Sequence, residues 1–375
     1  MLPGLGSDPH TRSAQKGEKT MARLIKERNL LLGKIPDSVV FIGHKKVDTP
    51  MMRVIDFSPD SYQELERIHV RDLPEIPAHE EQQNIRWISV YGLHDVGSIE
   101  AIGGLFKIDQ LTLKSILNTG LRPKYDEFEN YLYISLKLVH YNPDDNSVDS
   151  DQLGLVIGHN FLISFHERPI DLFTPLRKQL KDPNGKLRQS GVEYLSYCLL
   201  ESIADSYLQI VEQIGRKVED LEVLLTTGAT SETLRQIVTY KKIIHYLLRI
   251  SGPVCDFIGD VDPQERSIAS PHIDPFYVDL KNQFVQVKEA LETYNALLSE
   301  YSEICICRKN NQIFSSLTII ITTFVFALLI LSYLLLRAST PEQYSRVSDF
   351  AFLGLGILIF LVILGLNFRR ISKVF

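Results

Sequence analysis

Two long apolar runs near the C-terminus dominate the hydrophobic pattern of this chain. The first covers residues 314–336 and the second residues 350–366, and neither contains a charged residue. A helix needs about 20 apolar residues to cross the hydrocarbon core of a bilayer, so both runs predict membrane-spanning helices. The alternative, a buried helical hairpin in a soluble protein, is typical of shorter runs. We therefore expect a large polar region tied to a membrane hairpin.

Basic residues predict the orientation of this hairpin. They flank the two runs on their outer sides: Arg308, Lys309, Arg369, Arg370 and Lys373. Lysine and arginine are enriched on the cytoplasmic side of spanning helices. We expect a multi-pass protein of the cell (inner) membrane with cytoplasmic N- and C-termini, an external loop at 337–349, a second span at 350–368 and a basic tail at 369–375.

Short alternating patterns precede the helical part of the chain. The predicted strands are residues 38–42, 52–56, 87–90, 131–136, 153–157 and 161–165. Gly158, His159 and Asn160 predict a hairpin turn between the last two strands. Residues 98–106 and 111–117 have the spacing of amphipathic helices. These patterns predict a mixed α/β domain at 35–190. A disordered tail is expected at 1–34, because the first 20 residues are rich in Gly, Ser, Lys and Pro and lack an apolar stretch.

After Gly191 the spacing becomes helical. One apolar stripe is formed by Leu199, Ile203, Tyr207, Ile210, Ile214, Val218, Leu221 and Leu225. A turn at 226–231 and a second helix, with Leu234, Val238, Lys241, His245 and Leu248 on one line, complete an αα-hairpin. A region rich in proline and glycine then predicts a break from Ser251 to Pro275, so that 191–275 is a helical hairpin and linker.

Helical spacing resumes at Phe276 and continues into the first apolar run. Its stripe consists of Leu280, Phe284, Val287, Leu291, Tyr294 and Leu298. With no proline or glycine before Pro341, residues 276–336 predict one helix, about 90 Å long, that continues as the first span. Such a helix cannot bury its stripe alone, which predicts a homo-oligomer with this helix at its centre.

Uncharged polar residues share one face of the first span. This face contains Asn311, Ser315, Thr318 and Thr322, and continues with Val325 and Leu329. In a symmetric bundle such a face predicts a pore lining, whose oxygens hold or replace the water shell of an ion. Serine and threonine also bond across or back onto helices, so helix–helix contact is an equal alternative.

Composition and motifs exclude several classes of function. The net charge of −6 is unlike that of a nucleic-acid-binding protein. The four cysteines indicate a reducing compartment without a disulfide framework. Residues 79–83 read His-Glu-Glu-Gln-Gln and lack the second histidine of a zinc protease motif, and no phosphate-binding glycine loop occurs. We therefore expect no enzyme and no tightly bound cofactor, and the metal-ligand residues stay undefined.

Several motifs resemble the CorA family of divalent cation transporters, from about Ile35 to the end of the chain. The matching segments are 122–124 (Arg-Pro-Lys), 128–131 (Phe-Glu-Asn-Tyr), 87–88, 92–94, 116–118 (Ile-Leu-Asn) and 317–320, together with Asn311. The resemblance implies a CorA-like, funnel-shaped homopentamer: an α+β cytoplasmic domain, a long helical stalk and two C-terminal transmembrane helices. It also implies a central pore for magnesium, cobalt or another divalent cation, with polar rings at Asn311 and Thr318.

One departure from the family pattern concerns the outer pore mouth. The family carries Gly-Met-Asn there, but this chain has Leu335, Leu336 and Arg337. A ring of Arg337 side chains would favour anions, whereas outward-turned side chains would anchor the span at the interface. The sequence therefore leaves two alternatives to cation transport: a non-transporting scaffold or regulator, and a channel of altered, anion selectivity.

Overall fold

The computed structural model describes residues 39–73, 84–228, 230–260 and 274–339, with six single helical positions between 354 and 365. The predicted tail at 1–34, most of the external loop at 337–349, most of the second span at 350–368 and the basic tail at 369–375 lie outside the described residues. The chain divides into two compact units. One contains the chain up to Lys217 and Thr239–Asn295, and the other contains Val218–Val238 and the chain from Ala296 onward.

The first unit is built on one seven-stranded sheet within the described residues. Its strands are β1 (Met51–Phe57), β2 (Tyr62–Ile68), β3 (Ile85–Tyr91), β4 (Lys124–Glu127), β5 (Tyr131–Asn142), β6 (Ser147–Gly158) and β7 (Phe161–His166). The order is β2-β1-β3-β7-β6-β5-β4, in which β3 and β7 are parallel and the other described neighbours antiparallel. The predicted hairpin is confirmed, since β6 ends at Gly158 and β7 begins at Phe161.

The described residues also form seven α-helices. They are α1 (Val96–Phe106), α2 (Gln110–Leu117), α3 (Thr174–Lys181), α4 (Lys186–Gln189), α5 (Val192–Thr227), α6 (Ser231–Asp260) and α7 (Asp274–Ser339). Together with the sheet they form the α+β architecture and long helix that the sequence predicts. The single helix predicted at 276–336 is confirmed by α7.

Helices α1 and α2 pack on the sheet through a shared apolar core. Ile102 and Ile116 are completely buried in one cluster with Ile88 and Ile163. Burying a side chain of this size contributes about 1.5–3 kcal/mol, so this cluster supplies much of the stability of the domain. Both helices start at an aspartate: the Asp95 carboxylate accepts from the Ser98 amide, and the Asp109 carboxylate from the Leu111 amide. Side-chain capping of this kind satisfies amides that the helix leaves unpaired.

The predicted strand at 38–42 is wrong as far as it is described. Of residues 39–42, Ile42 alone forms a β-bridge, an isolated one with Asn118.

Two of the described strands, β2 and β4, were not predicted from the sequence. β2 contains two glutamates and an arginine, and β4 is Lys-Tyr-Asp-Glu. Both lie at the edges of the sheet, where charged residues are tolerated because one side of the strand faces solvent.

The α5 stripe predicted from the sequence is buried at all eight positions, so that prediction is confirmed. The line of α6 residues predicted from the sequence is not the buried side of this helix. Val238 is 43% exposed and His245 is exposed, whereas Ile244 and Leu247 are buried. Apolar residues occur on more than one line of this helix, and spacing alone did not select the buried one. Tertiary packing selects the line that includes Ile237.

The predicted break from Ser251 to Pro275 is wrong at its start, because α6 continues through Pro253 to Asp260. Residues 261–273 of the predicted break lie outside the described residues. A proline inside a helix removes one hydrogen bond and costs about 3 kcal/mol. Ser251 and Val254 on either side are completely buried. The packing of this segment in the first unit offsets the cost and keeps the helix continuous.

Candidate functional site

The apolar stretch of α7 contains most of the exposed large hydrophobic side chains among the described residues. Helix α7 contains a candidate membrane span, and the most apolar window of this span has a mean hydropathy of 2.5 with none of its residues buried. Exposed side chains include Phe314, Ile320, Phe324 and Leu335, at 65%, 63%, 65% and 63% of their maximal area. A stretch of this length and exposure is unfavourable in water and suits a hydrocarbon environment.

The hydroxyl residues of the predicted pore face are partly covered within the single chain. Ser315, Thr318 and Thr322 are half-buried, whereas Ser316 and Thr323 on the same helix are exposed. The other predicted pore-lining positions are exposed in the single chain: Asn311, Val325 and Leu329. The predicted face therefore contains both exposed positions and positions that the chain itself partly covers.

The partly covered side of α7 points towards the second apolar run. The rings of Phe326 and Phe360 lie 4.4 Å apart, centroid to centroid. Phe326 follows Thr322 by about one helical turn and lies near the same line of the helix. This contact is compatible with the helix–helix alternative for Thr322 and leaves the pore role of this face a prediction. Of the predicted pore-mouth residues, Leu335 is exposed, and the side chains of Leu336 and Arg337 lie outside the described residues.

Hydroxyl hydrogens along this stretch are donated to the backbone of α7. Thr318 Oγ1 donates to the Phe314 carbonyl at 2.7 Å, and Thr322 Oγ1 donates to the Ile319 carbonyl at 2.9 Å. A hydroxyl bonded in this way costs less to place in a membrane, because its donor is satisfied. Its oxygen lone pairs stay available as acceptors, which is the property that a hydrated cation requires.

Arg308, predicted as a flanking charge, has a structural partner within the second unit. Its Nη1 donates to the carbonyl of Leu225 at 2.6 Å, and Tyr301 of α7 donates to the carboxylate of Glu222 at 3.2 Å. The last carbonyls of a helix lack intrahelical donors and carry partial negative charge. Arg308 therefore closes the C-terminal end of α5, a role that sequence reasoning missed.

A buried carboxylate organises a cluster of charges in the first unit. Asp151 is 2% exposed, pairs with Lys46, lies 2.6 Å from Arg168 Nε and lies 2.8 Å from His140 Nε2. Burial alone would raise the pKa of Asp151, but the hydrogen bonds from His140, Lys46 and Arg168 hold it well below its usual range. The residue is therefore ionised and joins β5, β6 and the segments around Lys46 and Arg168.

A second buried titratable group lies at the end of β7. His166 is 1% exposed, stacks on the ring of Tyr91 at 5.0 Å, and has no hydrogen-bond partner at either ring nitrogen. Burial, with the positive charge of Arg177 nearby, lowers its pKa to about 3. The imidazole is therefore neutral at physiological pH.

The motif at 128–131 has a visible structural role. The rings of Phe128 and Tyr131 stack with centroids 4.6 Å apart. The Tyr131 hydroxyl accepts from the Asp109 amide at 3.0 Å and lies 2.9 Å from Thr112 Oγ1. This motif therefore attaches the start of β5 to the first turn of α2.

The described residues do not contain a group of three or more His, Cys, Asp or Glu side chains that could hold a metal ion.

Comparison with solved structures gives the class of protein. The complete structure of the CorA magnesium transporter from Methanocaldococcus jannaschii covers 86% of this chain and 98% of its own length, with a TM-score of 0.63 and 19% identity. The full-length CmaX protein covers 88% and 99%, with a TM-score of 0.61 and 14% identity. These likenesses show the fold: an α+β domain followed by a long helix with an apolar stretch.

Sequence comparison then gives the family. The model described as CorA-like Mg²⁺ transporter protein matches residues 82–333, which is more than half of the chain. A cobalt/magnesium transport protein CorA from Thermotoga maritima is 25% identical over 293 residues, covering 77% of this chain and 82% of the relative. The chain belongs to the family of CorA-like Mg²⁺ transporter proteins, and it is a membrane protein.

Proposed function

We propose that this protein transports a divalent metal cation, Mg²⁺ or Co²⁺, across a membrane through the central pore of a homopentamer. The observation that carries the proposal is the family match over residues 82–333, which contains most of the sheet and most of the apolar stretch of α7. The relative from T. maritima is named for cobalt and magnesium transport. None of these comparisons favours a non-transporting scaffold or an anion channel.

In this proposal α7 supplies the pore wall. The exposed apolar stretch of the single chain needs partners on all sides, and copies of the same helix, the second span and lipid provide them. The stripe from Asn311 to Leu329 faces the axis, with Asn311 at its N-terminal end. The transported ion is a substrate, so the proposal requires no resident cofactor.

The chemistry of this stripe suits an ion that keeps its water. Mg²⁺ loses its hydration shell reluctantly and prefers oxygen ligands. Thr318 and Thr322 donate their hydroxyl hydrogens to the backbone, which leaves their oxygens to accept from the first-shell water of a cation. Uncharged oxygens bind such an ion weakly enough for it to leave again, as conduction requires.

The proposed topology places both termini in the cytoplasm and two spans in the cell (inner) membrane. Lys309 is exposed just before the apolar stretch, and Arg308 is partly exposed beside it, in agreement with the positive-inside pattern. Residues 337–349 form the external loop in this arrangement. Arg337 then lies at the outer end of the first span, either as an interfacial anchor or as part of a positive ring.

Ion flux into proteoliposomes tests the proposal. Purified protein, shown to be oligomeric, is assayed with an internal magnesium-sensitive dye and with parallel cobalt and chloride measurements. We expect saturable Mg²⁺ or Co²⁺ entry and no chloride flux. Absence of flux for every ion, from correctly folded oligomer, would reject transport, and chloride flux alone would reject cation selectivity.

A matched pair of substitutions tests the stripe. Thr318→Val and Thr323→Val remove hydroxyls that both bond to the α7 backbone, but Thr318 lies on the stripe and Thr323 lies off it. We expect lower cation flux for Thr318→Val and nearly unchanged flux for Thr323→Val. Equal effects would remove the support for this stripe as the pore lining.

Arg337→Asn separates the two roles of Arg337. If the side chains form a positive ring, removing them increases cation flux, since the electrostatic barrier disappears. If Arg337 anchors the span at the interface, flux stays unchanged. Arg337→Lys keeps the charge and serves as the control for a loss of packing.

A further inference from the structure

The tip of the α5–α6 hairpin combines features of a membrane-contacting surface. Residues 223–231 carry no charge, although the helices on either side are rich in charged residues. Val223 and Leu224 are 63% and 44% exposed at the end of α5. Two adjacent exposed aliphatic side chains in an uncharged segment are unfavourable in water and need a partner.

Contacts within the second unit fix the level of this tip along α7. Glu222 accepts from Tyr301, and the Leu225 carbonyl accepts from Arg308. The later residue of α5 therefore meets the later residue of α7, so the two helices run in the same direction here. The end of α5 points towards the apolar stretch that begins near Phe314.

The distance from this contact to the hydrocarbon layer is short. Arg308 precedes Phe314 by little more than one and a half helical turns, which corresponds to about 9 Å along the axis. Each polar interfacial layer of a bilayer is about 5–8 Å thick. The tip residues beyond Leu225 extend further in the same direction and reach the level of the lipid headgroups. Val223 and Leu224 lie about 3 Å or less before Leu225, at the near edge of that layer.

Side chains of the protein satisfy several backbone groups at the tip. Thr226 Oγ1 donates to the Val223 carbonyl at 2.7 Å, and Thr227 Oγ1 donates to the Leu224 carbonyl at 3.1 Å. On the α6 side, the Thr233 amide donates to Thr230 Oγ1 at 3.2 Å, and the Thr230 amide donates to Thr233 Oγ1 at 3.3 Å. Polar groups that are paired internally cost less to remove from water, which favours contact with lipid.

We infer that the described part of the tip, residues 223–228 and 230–231, inserts into the headgroup layer of the bilayer that α7 crosses, with Val223 and Leu224 as its apolar anchors. This inference rests on the proposed membrane span of α7. The level of the tip along α7, shortly before the exposed apolar side chains of Ile313 and Phe314, selects lipid as the occupant of the tip surface. Each anchor adds membrane affinity in proportion to its buried apolar area.

Tryptophan fluorescence in brominated lipid measures this contact. The chain has one tryptophan, Trp87, which is completely buried in the sheet and provides the baseline signal. Leu224→Trp and Val223→Trp place a second tryptophan at the tip of the full-length protein. We expect nanodisc lipids brominated near the headgroup to quench the added fluorescence of both variants.

Two further variants make the outcome decisive. Val238→Trp is the matched control: Val238 is 43% exposed on α6, about 10 Å from the start of that helix. Leu328→Trp, within the apolar stretch of α7, reports membrane insertion itself. We expect quenching for Leu328→Trp and no quenching for Val238→Trp.

The remaining outcomes overturn the inference in distinguishable ways. If Leu328→Trp is quenched but neither tip variant is, α7 crosses the bilayer and the tip does not contact it. A blue-shifted but unquenched tip signal would show that a second copy of the chain covers the tip instead. If Val238→Trp is quenched as strongly as Leu224→Trp, the tip lies no deeper in the bilayer than the control position, and the inference is wrong. An unquenched Leu328→Trp would reject the membrane span on which the inference rests.

Discussion

The guanidinium of Arg308 donates a hydrogen bond to the carbonyl oxygen of Leu225 at a distance of 2.6 Å. A residue about one and a half helical turns before the apolar stretch of α7 thus closes the helix that ends at the hairpin tip. Its charge satisfies an orphan carbonyl at the end of a helix, and in the proposed topology the same side chain also fits the positive-inside pattern.

Arg308→Gln is expected to loosen the end of α5. Loss of the charged donor at a helix C-terminus costs about 0.5–2 kcal/mol, and the effect is confined to the last turn. Hydrogen exchange of the amides near Gly228 in the full-length protein should become faster. Lys309→Gln makes the same change of charge at the adjacent exposed residue, and exchange that rises equally in both variants would argue against the cap.

Cysteine accessibility separates a wet pore from a dry helix contact. Thr318→Cys, in a background without the native cysteines, is expected to react with small hydrophilic thiol reagents, because a conducting pore contains water. Thr323→Cys lies off the stripe and is expected to stay protected within the membrane. Protection of Thr318→Cys under all conditions, with or without divalent cations, would favour the helix–helix alternative instead.

Asp151→Asn is expected to destabilise the first unit strongly. Its side chain is 2% exposed, and removing its charge takes a buried carboxylate away from both Lys46 and Arg168, while Glu167 stays 3.5 Å from Lys46. Breaking a buried ion pair from one side costs about 3–5 kcal/mol. Denaturant unfolding followed by Trp87 fluorescence measures the change, because Trp87 lies inside the same sheet. Asp149→Asn is the control, since Asp149 is 59% exposed and its loss costs about 0–1 kcal/mol.

The same carboxylate predicts a dependence of stability on pH. The pKa of Asp151 is lower in the folded protein than the ordinary value of 3.8. Its contribution is therefore complete above pH 3.8 and is lost as the pH falls towards the folded pKa. Unfolding of the wild type should become easier over this range, and Asp151→Asn should show a flatter profile. Parallel profiles would contradict the assignment.

His166 predicts a second pH effect at less acidic values. Its pKa is about 3 in the folded protein and 6.5 as the ordinary value, so the unfolded chain binds the proton more readily between these limits. Stability is therefore full above pH 6.5 and decreases as the pH falls towards 3, by several kcal/mol in total. His166→Phe, which keeps an aromatic ring, should weaken this decrease, as measured by unfolding midpoints at pH 7 and at mildly acidic pH.

The control for His166 is His159→Gln, because His159 is exposed in the β6–β7 turn. We expect its pH profile to match the wild type. Because neither ring nitrogen of His166 has a partner, His166→Phe loses no hydrogen bond and should be close to neutral at pH 7. A strongly destabilised variant at pH 7 would indicate steric strain, and His166→Leu then gives a second test with a smaller side chain.

Local pattern alone determined much of this architecture. The spacing of Leu280, Phe284 and Val287 predicts the exposed and buried sides of α7, since helical periodicity is a property of neighbouring residues. The uncharged run at 314–336 predicts the membrane span for the same reason. Gly158 and Asn160 predict the β6–β7 hairpin, because turn conformations depend on the residues that form them.

Tertiary structure decided what depends on distant residues. The edge strand β2 forms because β1 supplies its hydrogen bonds, and Pro253 stays helical because its neighbours are buried. Lys46 meets Asp151, and Arg308 meets Leu225, across separations in sequence that no periodicity encodes. The partial burial of Thr322 likewise depends on which helix packs against that side of α7. Bringing such distant residues together costs conformational entropy. The packing of the whole fold offsets this cost, and no local segment could do so alone.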